Sequence, residues 1–217
     1  MSELHLITGN KNYSSWSLRA WICLKHLGIP FRETLVRLDQ AQFKEQVARY
    51  GPTGRVPVLL DGELSIWDSL AICEYAAEVA GRGWPADRAA RAIARSVCAE
   101  MHSGFTSLRA QWPMNARARN RHTVLTAELQ ADLGRIDAIW SDCRRRFGRD
   151  GGAWLFGRYT VADAMYAPVV LRFNTYGAPL SETAQAYVAT ALEDAALQEW
   201  LRDAQNEPWT IPHDEVG

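Results

Sequence analysis

Four consecutive residues near the start of the chain, Tyr13, Ser14, Ser15 and Trp16, stand between an apolar run at 4–8 and a helical apolar pattern at 15–27. Three of them carry hydroxyls. A hydroxyl placed where a helix begins adds an O–H donor to the unpaired N–H groups and partial positive charge of that helix end. Such an end holds an anion, or lowers the pKa of a thiol brought to it. Both serines also fit the plain role of a helix cap. Trp16 can neither attack a substrate nor form a mixed disulfide, so it is expected to pack or to wall a pocket.

Other residues have types and spacings that suit binding. Asp68 and Ser69 open a helical pattern, where a hydroxyl and free N–H groups suit a carboxylate and the Asp68 side chain suits an ammonium; a simple N-cap is the alternative. Val56 and Pro57 begin an apolar run after the turn-rich stretch 51–55. Arg109 and Arg172 sit beside apolar stretches, where they bind a carboxylate or form an interhelical pair. Met101 and Phe105, with Trp112 and Met114, form either an apolar pocket wall or a core stripe. Thr160-Val161-Ala162-Asp163 has the form of a capping box, so Asp163 is read as structural.

These positions need elements to hold them. Strands are expected at 4–8, 31–36, 56–60 and 63–67, and helices at 15–27, 41–49 and 70–79. Gly28 and Pro30 stop the first helix, and the strand–helix–strand unit predicts a parallel pair. Asp61-Gly62 reads as a hairpin turn. Residues 81–85, with two glycines and a proline, break the pattern. Strand signals nearly vanish after them. Helices are expected at 88–111, 122–147, from 160 through 171, at 182–192 and at 197–204.

Composition narrows the classes. Of 217 residues, 47 % are hydrophobic and 23 % charged, as in an ordinary globular chain with a sizeable core. The net charge of −1 gives no nucleic-acid footprint, and the arginine clusters at 117–121 and 144–146 read as solvated. No stretch approaches the ~20 apolar residues of a membrane helix, and no secretory leader is expected. Cys23, Cys73, Cys98 and Cys143 are far apart and are expected as free thiols in a reducing cytoplasm. The five histidines are scattered, so no metal site is expected.

Four separated motifs resemble one family. Ser14-Ser15-Trp16-Ser17-Leu18-Arg19 resembles the serine motif of zeta- and theta-like glutathione transferases. Arg55-Val56-Pro57-Val58-Leu59 is similar to the family's cis-proline loop, Trp67-Asp68-Ser69-Leu70-Ala71-Ile72 to its glutathione-binding signature, and Thr160-Val161-Ala162-Asp163 to its capping box. The resemblance, to a bacterial glutathione transferase, covers nearly the whole chain. It implies an α/β thioredoxin-like N-terminal domain (βαβαββα) at 1–82, a linker at 83–87, and an all-α helical-bundle domain at 88–217. It implies glutathione as co-substrate, no metal, a small electrophile as second substrate, a cytoplasmic homodimer, and no nucleic-acid or membrane partner. The thiol-activating hydroxyl is then Ser15 or, second, Ser14, with Tyr13 a third candidate. The spacing from Ser15 to Arg19 fits the theta-like serine. Val56, Pro57, Asp68 and Ser69 would hold glutathione, with Arg55, Lys44 and Gln42 toward its glycyl carboxylate. Asp68 is a methylene shorter than the family's usual Glu or Gln. Tyr13, Trp16, Met101, Phe105, Arg109 and Arg172 would line the second-substrate pocket. A glutathione-dependent cis–trans isomerase of the maleylacetoacetate type is the alternative reaction, disfavoured by Trp16 where zeta-like members carry cysteine. A non-catalytic binding module is the third reading.

Overall fold

A computed structural model describes residues 3–148 and 152–217. Its sheet has the order β2-β1-β3-β4, formed by β1 (Leu4–Thr8), β2 (Phe31–Leu35), β3 (Val58–Asp61) and β4 (Leu64–Trp67). β1 and β2 are parallel with Leu4 opposite Phe31; β1–β3 and β3–β4 are antiparallel. β1 is buried throughout because it serves two cores. Leu4 and Leu6 join the main core, while Ile7, on the opposite face, packs with Val36, Val47 and Val58.

Helices α1 (Ser15–Leu27) and α3 (Ser69–Ala80) pack on each other, and α2 (Phe43–Ala48) is a short crossover piece. α1 stops where Gly28 turns left-handed at φ 67°, a conformation without a Cβ penalty at glycine. The helical domain comprises α4 (Arg88–Ser103), α5 (Thr106–Gln111), α6 (Ala127–Phe147), α7 (Val161–Tyr176), α8 (Glu182–Leu192) and α9 (Ala195–Asn206), followed by a 3₁₀ turn at Pro212–Asp214. Every residue of α7 except Asn174 is buried. α7 packs against both α1 and α4, and so forms the shared spine of the sheet domain and the helical domain.

The elements follow the sequence pattern with physical exceptions. The helix expected over 88–111 is two helices: Gly104 turns extended and Phe105 left-handed (φ 58°), so α5 leaves in a new direction. Its start is held by Asp132, which accepts from the Leu108 N–H at 2.9 Å. The helix expected from 122 begins at Ala127, because Thr126 caps it by accepting from the Leu129 N–H. β3 begins at Val58 rather than 56; the Val56–Pro57 bond is cis, and Pro57 has no N–H to give a ladder. The hairpin turn falls on Gly62-Glu63, one residue later than expected.

The capping box of α7 is formed. Asp163 Oδ2 accepts from the Thr160 N–H (2.8 Å) and hydroxyl (3.1 Å), and Oδ1 accepts from the Leu155 N–H (3.1 Å). The four cysteines are buried and unpaired. No helix is long and apolar enough to cross a membrane, and no His/Cys/Asp/Glu cluster suited to a metal occurs among the described residues.

Candidate functional site

A cavity of about 350 Å³ opens at the N-terminus of α1. Tyr13, Ser14, Ser15 and Trp16 form one side of it, Arg55 and Val56 another, and Arg109 and Arg172 the side toward the helical domain. With Met114, nine of the residues singled out by sequence thus meet in one place. Leu38, Phe43, Pro113 and Met114 complete the apolar wall, and Asp214 reaches it from the C-terminal turn. A larger hollow, about 830 Å³, lies between the end of α1, residues 82–87 and residues 156–161, and holds none of the predicted site residues.

The three candidate hydroxyls have different partners. Ser14 is the N-cap of α1: its hydroxyl donates to Ser17 Oγ (2.7 Å) and accepts from the Ser17 N–H (3.4 Å). Ser17 Oγ in turn accepts from the Gly9 N–H at 3.0 Å. The Tyr13 hydroxyl donates to Glu215 Oε1 (2.6 Å) and accepts from Arg117 (3.1 Å). The Ser15 hydroxyl has no partner among the described residues, and it faces the cavity from the first residue of α1. A free O–H at a helix start can donate to a thiolate without breaking an existing bond.

Trp16 forms part of the cavity wall. Its ring lies 4.4 Å from the Arg19 guanidinium, 4.8 Å from that of Arg109, and edge-on to His102 at 5.4 Å. His102 in turn pairs with Asp68 Oδ2 at 3.2 Å. Asp68 also caps α3, its Oδ1 accepting from Leu70 (2.8 Å) and Ala71 (3.3 Å). The capping role considered for Asp68 is therefore present, and the other oxygen is shared with a histidine that sequence reasoning did not select.

The remaining predicted residues divide. Ser69 is buried at the start of α3, and its hydroxyl has no partner. The Val56 N–H and C=O likewise have no backbone partner among the described residues. Pro57 is buried behind Val56. Gln42 and Lys44 flank Phe43, but both are exposed and neither lines the cavity. Met101 and Phe105 do not line it either: they are buried in the main core, as the stripe reading has it. Met101 serves the site through its carbonyl, which accepts from Arg109 Nη2.

Electrostatics on the helical side are unusual. Burial pushes the Arg172 guanidinium down to about 9, and the charge of Arg109 adds to that effect. Arg19 is pushed to about 9 by burial and then by Arg109 and Arg172. Arg109 is lowered by burial. Asp214 is raised by burial, with His213 and Arg172 opposing. Asp214 and His102 gave no local sequence signal; each reaches the site from an element far along the chain.

The fold joins a thioredoxin-like mixed sheet to a helical domain. Family profiles match both parts: Glutathione S-transferase, N-terminal domain, over residues 13–79, and Glutathione S-transferase, C-terminal domain, over 126–203. The chain belongs to the glutathione S-transferase family. Among curated relatives, a dichloromethane dehalogenase from Methylorubrum extorquens is 41 % identical over 54 residues, 24 % of this chain and 19 % of that protein. Glutathione S-transferase theta-1 from Mus musculus is 34 % identical over 98 residues, 42 % of this chain and 41 % of that one. The chain thus matches about a fifth of the length of the first and two fifths of the second. A crystal structure of a glutathione transferase homologue from Burkholderia gl BGR1, with bound glutathione, superposes with a TM-score of 0.71, covering 95 % of this chain and 100 % of that one at 24 % identity. That likeness is one of fold.

Proposed function

We propose that this chain is a glutathione transferase in which the Ser15 hydroxyl donates to the sulfur of bound glutathione and favours the thiolate, which then attacks a small electrophile. The observation that carries the reading is the unpartnered Ser15 hydroxyl at the N-terminus of α1, beside two hydroxyls already engaged. Glutathione's thiol ionises near the ordinary thiol range, roughly 8.5, so it is mostly protonated at neutral pH until a donor and a helix end stabilise the anion. The free Val56 N–H and C=O would pair with the cysteinyl part as an added strand does. The unpartnered Ser69 hydroxyl and Asp68 would receive the γ-glutamyl end, and Arg55, on the cavity wall, the glycyl carboxylate, with the exposed Lys44 and Gln42 on either side of the wall residue Phe43. Displacement of a halide from carbon by thiolate belongs to the same reaction class, and the dehalogenase among the relatives lends support to it. In this reading residues 1–82 and 88–217 are the two domains, 83–87 the linker, and the protein works as a cytoplasmic homodimer.

Calorimetric titration with glutathione, run beside steady-state kinetics of two variants, tests the proposal. Losing one hydrogen bond to a charged sulfur costs about 1.5–3 kcal/mol, so Ser15→Ala is expected to lose about 10- to 100-fold in kcat/KM and to need higher pH for half-maximal rate. Ser14→Ala is expected to lose about 1 kcal/mol of stability as a cap, with turnover within a few-fold of the parent. Unchanged turnover in Ser15→Ala removes the serine mechanism.

A further inference from the structure

The helical side of the cavity carries charge that the protein leaves unanswered. Arg19, Arg109 and Arg172 each donate Nε to a backbone carbonyl, of Met165 (3.1 Å), Gly104 (3.0 Å) and Trp112 (2.8 Å) respectively. These bonds fix the three guanidinium planes. Arg109 Nη1, Arg172 Nη1 and both Nη atoms of Arg19 are buried without any partner. None of the three forms an ion pair among the described residues, so the interhelical pair considered from sequence is not what these side chains make. Arg19 has the Trp16 ring against it. Arg109 and Arg172 line the cavity itself, with Ser15.

The acidic groups that face them do not neutralise them. Asp132 acts on Arg109, but its carboxylate caps α5. Asp214, on the cavity wall, feels Arg172 without making an ion pair to it. Buried charge without a partner is costly, and a chain that retains two such groups on a cavity wall gains from an anion that binds there. Arg109 gives Nη2 to the Met101 and His102 carbonyls and keeps only Nη1 unpaired, while Arg172, held by Nε, keeps its Nη atoms for a planar two-oxygen acceptor, for which carboxylate is the matching group. The cavity is near the lower limit of ligand pockets, about 300 Å³, and must also admit the thiol end of glutathione.

We propose, resting on the reading of this site as a glutathione transferase, that its second substrate is a short-chain carboxylate electrophile whose carboxylate docks on Arg109 and Arg172. In the simplest case, a 2-haloalkanoate, the glutathione sulfur forms a new C–S bond. The halide leaves with the C–halogen electron pair, and no oxidant or reductant is needed. The arginines hold the carboxylate and do not react.

The test compares bromoacetate with bromoacetamide, nearly equal in shape and different in charge, each rate divided by its uncatalysed rate with glutathione. The wild-type enhancement is expected to be at least about tenfold larger for bromoacetate. Arg172→Gln and Arg109→Gln should erase that preference, bringing the bromoacetate enhancement down to that of bromoacetamide. Equal enhancement for the two reagents overturns the proposal. So does a rise in the glutathione KM of the variants with both reagents, since the arginines would then serve glutathione. Titration of the wild-type protein with unreactive propionate and with propionamide, read by tryptophan fluorescence, needs neither turnover nor variants. Saturable binding of propionate alone supports the carboxylate site, and its absence overturns it. Propionate binding without any glutathione binding or turnover would instead overturn the transferase reading and leave the anion site standing.

Discussion

Asp163 shows what one buried carboxylate contributes. It is 2 % exposed, and three donors converge on its two oxygens. Burial pushes its carboxyl up from the ordinary 3.8 to about 6, against those hydrogen bonds, which pull it down. The folded chain therefore holds this proton more tightly than the unfolded chain. Stability falls as pH rises from about 3.8 to about 6, by about 3 kcal/mol in all, and the cost of the buried charge is fully present at pH 7. Asp163→Asn removes that pH dependence but keeps only one acceptor oxygen. One of the Leu155 and Thr160 N–H groups is then left unpaired, which costs about 1–3 kcal/mol. Urea unfolding of both proteins at pH 4 and pH 7 is expected to show the difference between the two pH values shrinking in the variant. An undiminished difference contradicts the assignment. The motif was readable in advance because all its parts lie within four residues, as do those of the Ser14 cap. The neighbours of Trp16 and Arg172 were not, because His102 and Asp214 are brought in by tertiary packing.

At the level of elements, periodicity and stop signals located the strands and helices, and they failed where a break leaves the period intact. Met101, Phe105 and Leu108 continue an apolar repeat, so 88–111 read as one helix. The break lies in the backbone, at Gly104 and Phe105. Packing then makes that break part of the site, since the Gly104 and Met101 carbonyls accept from Arg109. A Cβ at Gly104 would stand 2.8 Å from the Glu100 carbonyl oxygen, a backbone atom that cannot swing away. Gly104→Ala is expected to lose about 1–3 kcal/mol and to displace Arg109 with the turn. Denaturant midpoints would register the first effect, and a raised KM for a carboxylate electrophile the second. A midpoint equal to that of the parent would show that the α4–α5 junction relaxes freely. The same paired readout separates a site effect from general softening, because a destabilised but intact site keeps its KM.

In the whole molecule, the loop that precedes Ser15 is held by the far end of the chain. Glu207 accepts from the Lys11 N–H (2.6 Å) and the Asn12 N–H (3.1 Å). Arg117 donates to the Glu207 carbonyl (2.5 Å), to the Trp209 carbonyl (2.9 Å) and to the Tyr13 hydroxyl (3.1 Å). Lys11 Nζ, nearly buried, reaches Asp203 on α9 at 2.6 Å and Glu33 on β2 at 3.0 Å. Burial works to lower the Lys11 pKa, yet Glu33 and Asp203 outweigh it and the group is raised. The loop that precedes Ser15 is thus positioned by α9 and the C-terminal tail as much as by the sheet that leads into it. Glu207→Ala removes the acceptor of two buried N–H groups, each worth about 1–3 kcal/mol when left unpaired. It is expected to lower the unfolding midpoint and to reduce kcat/KM with glutathione, while far-UV circular dichroism stays that of the parent. Glu199→Gln, which breaks the exposed Lys25–Glu199 pair between α1 and α9, serves as the comparison. Such a surface pair is worth about 0–1 kcal/mol, and this variant is expected to keep full turnover. If both variants lose stability and neither loses activity, the tail supports the fold without positioning the Ser15 loop. If Glu207→Ala alone loses activity, the helical domain sets the geometry at the N-terminus of α1, about two hundred residues away in sequence.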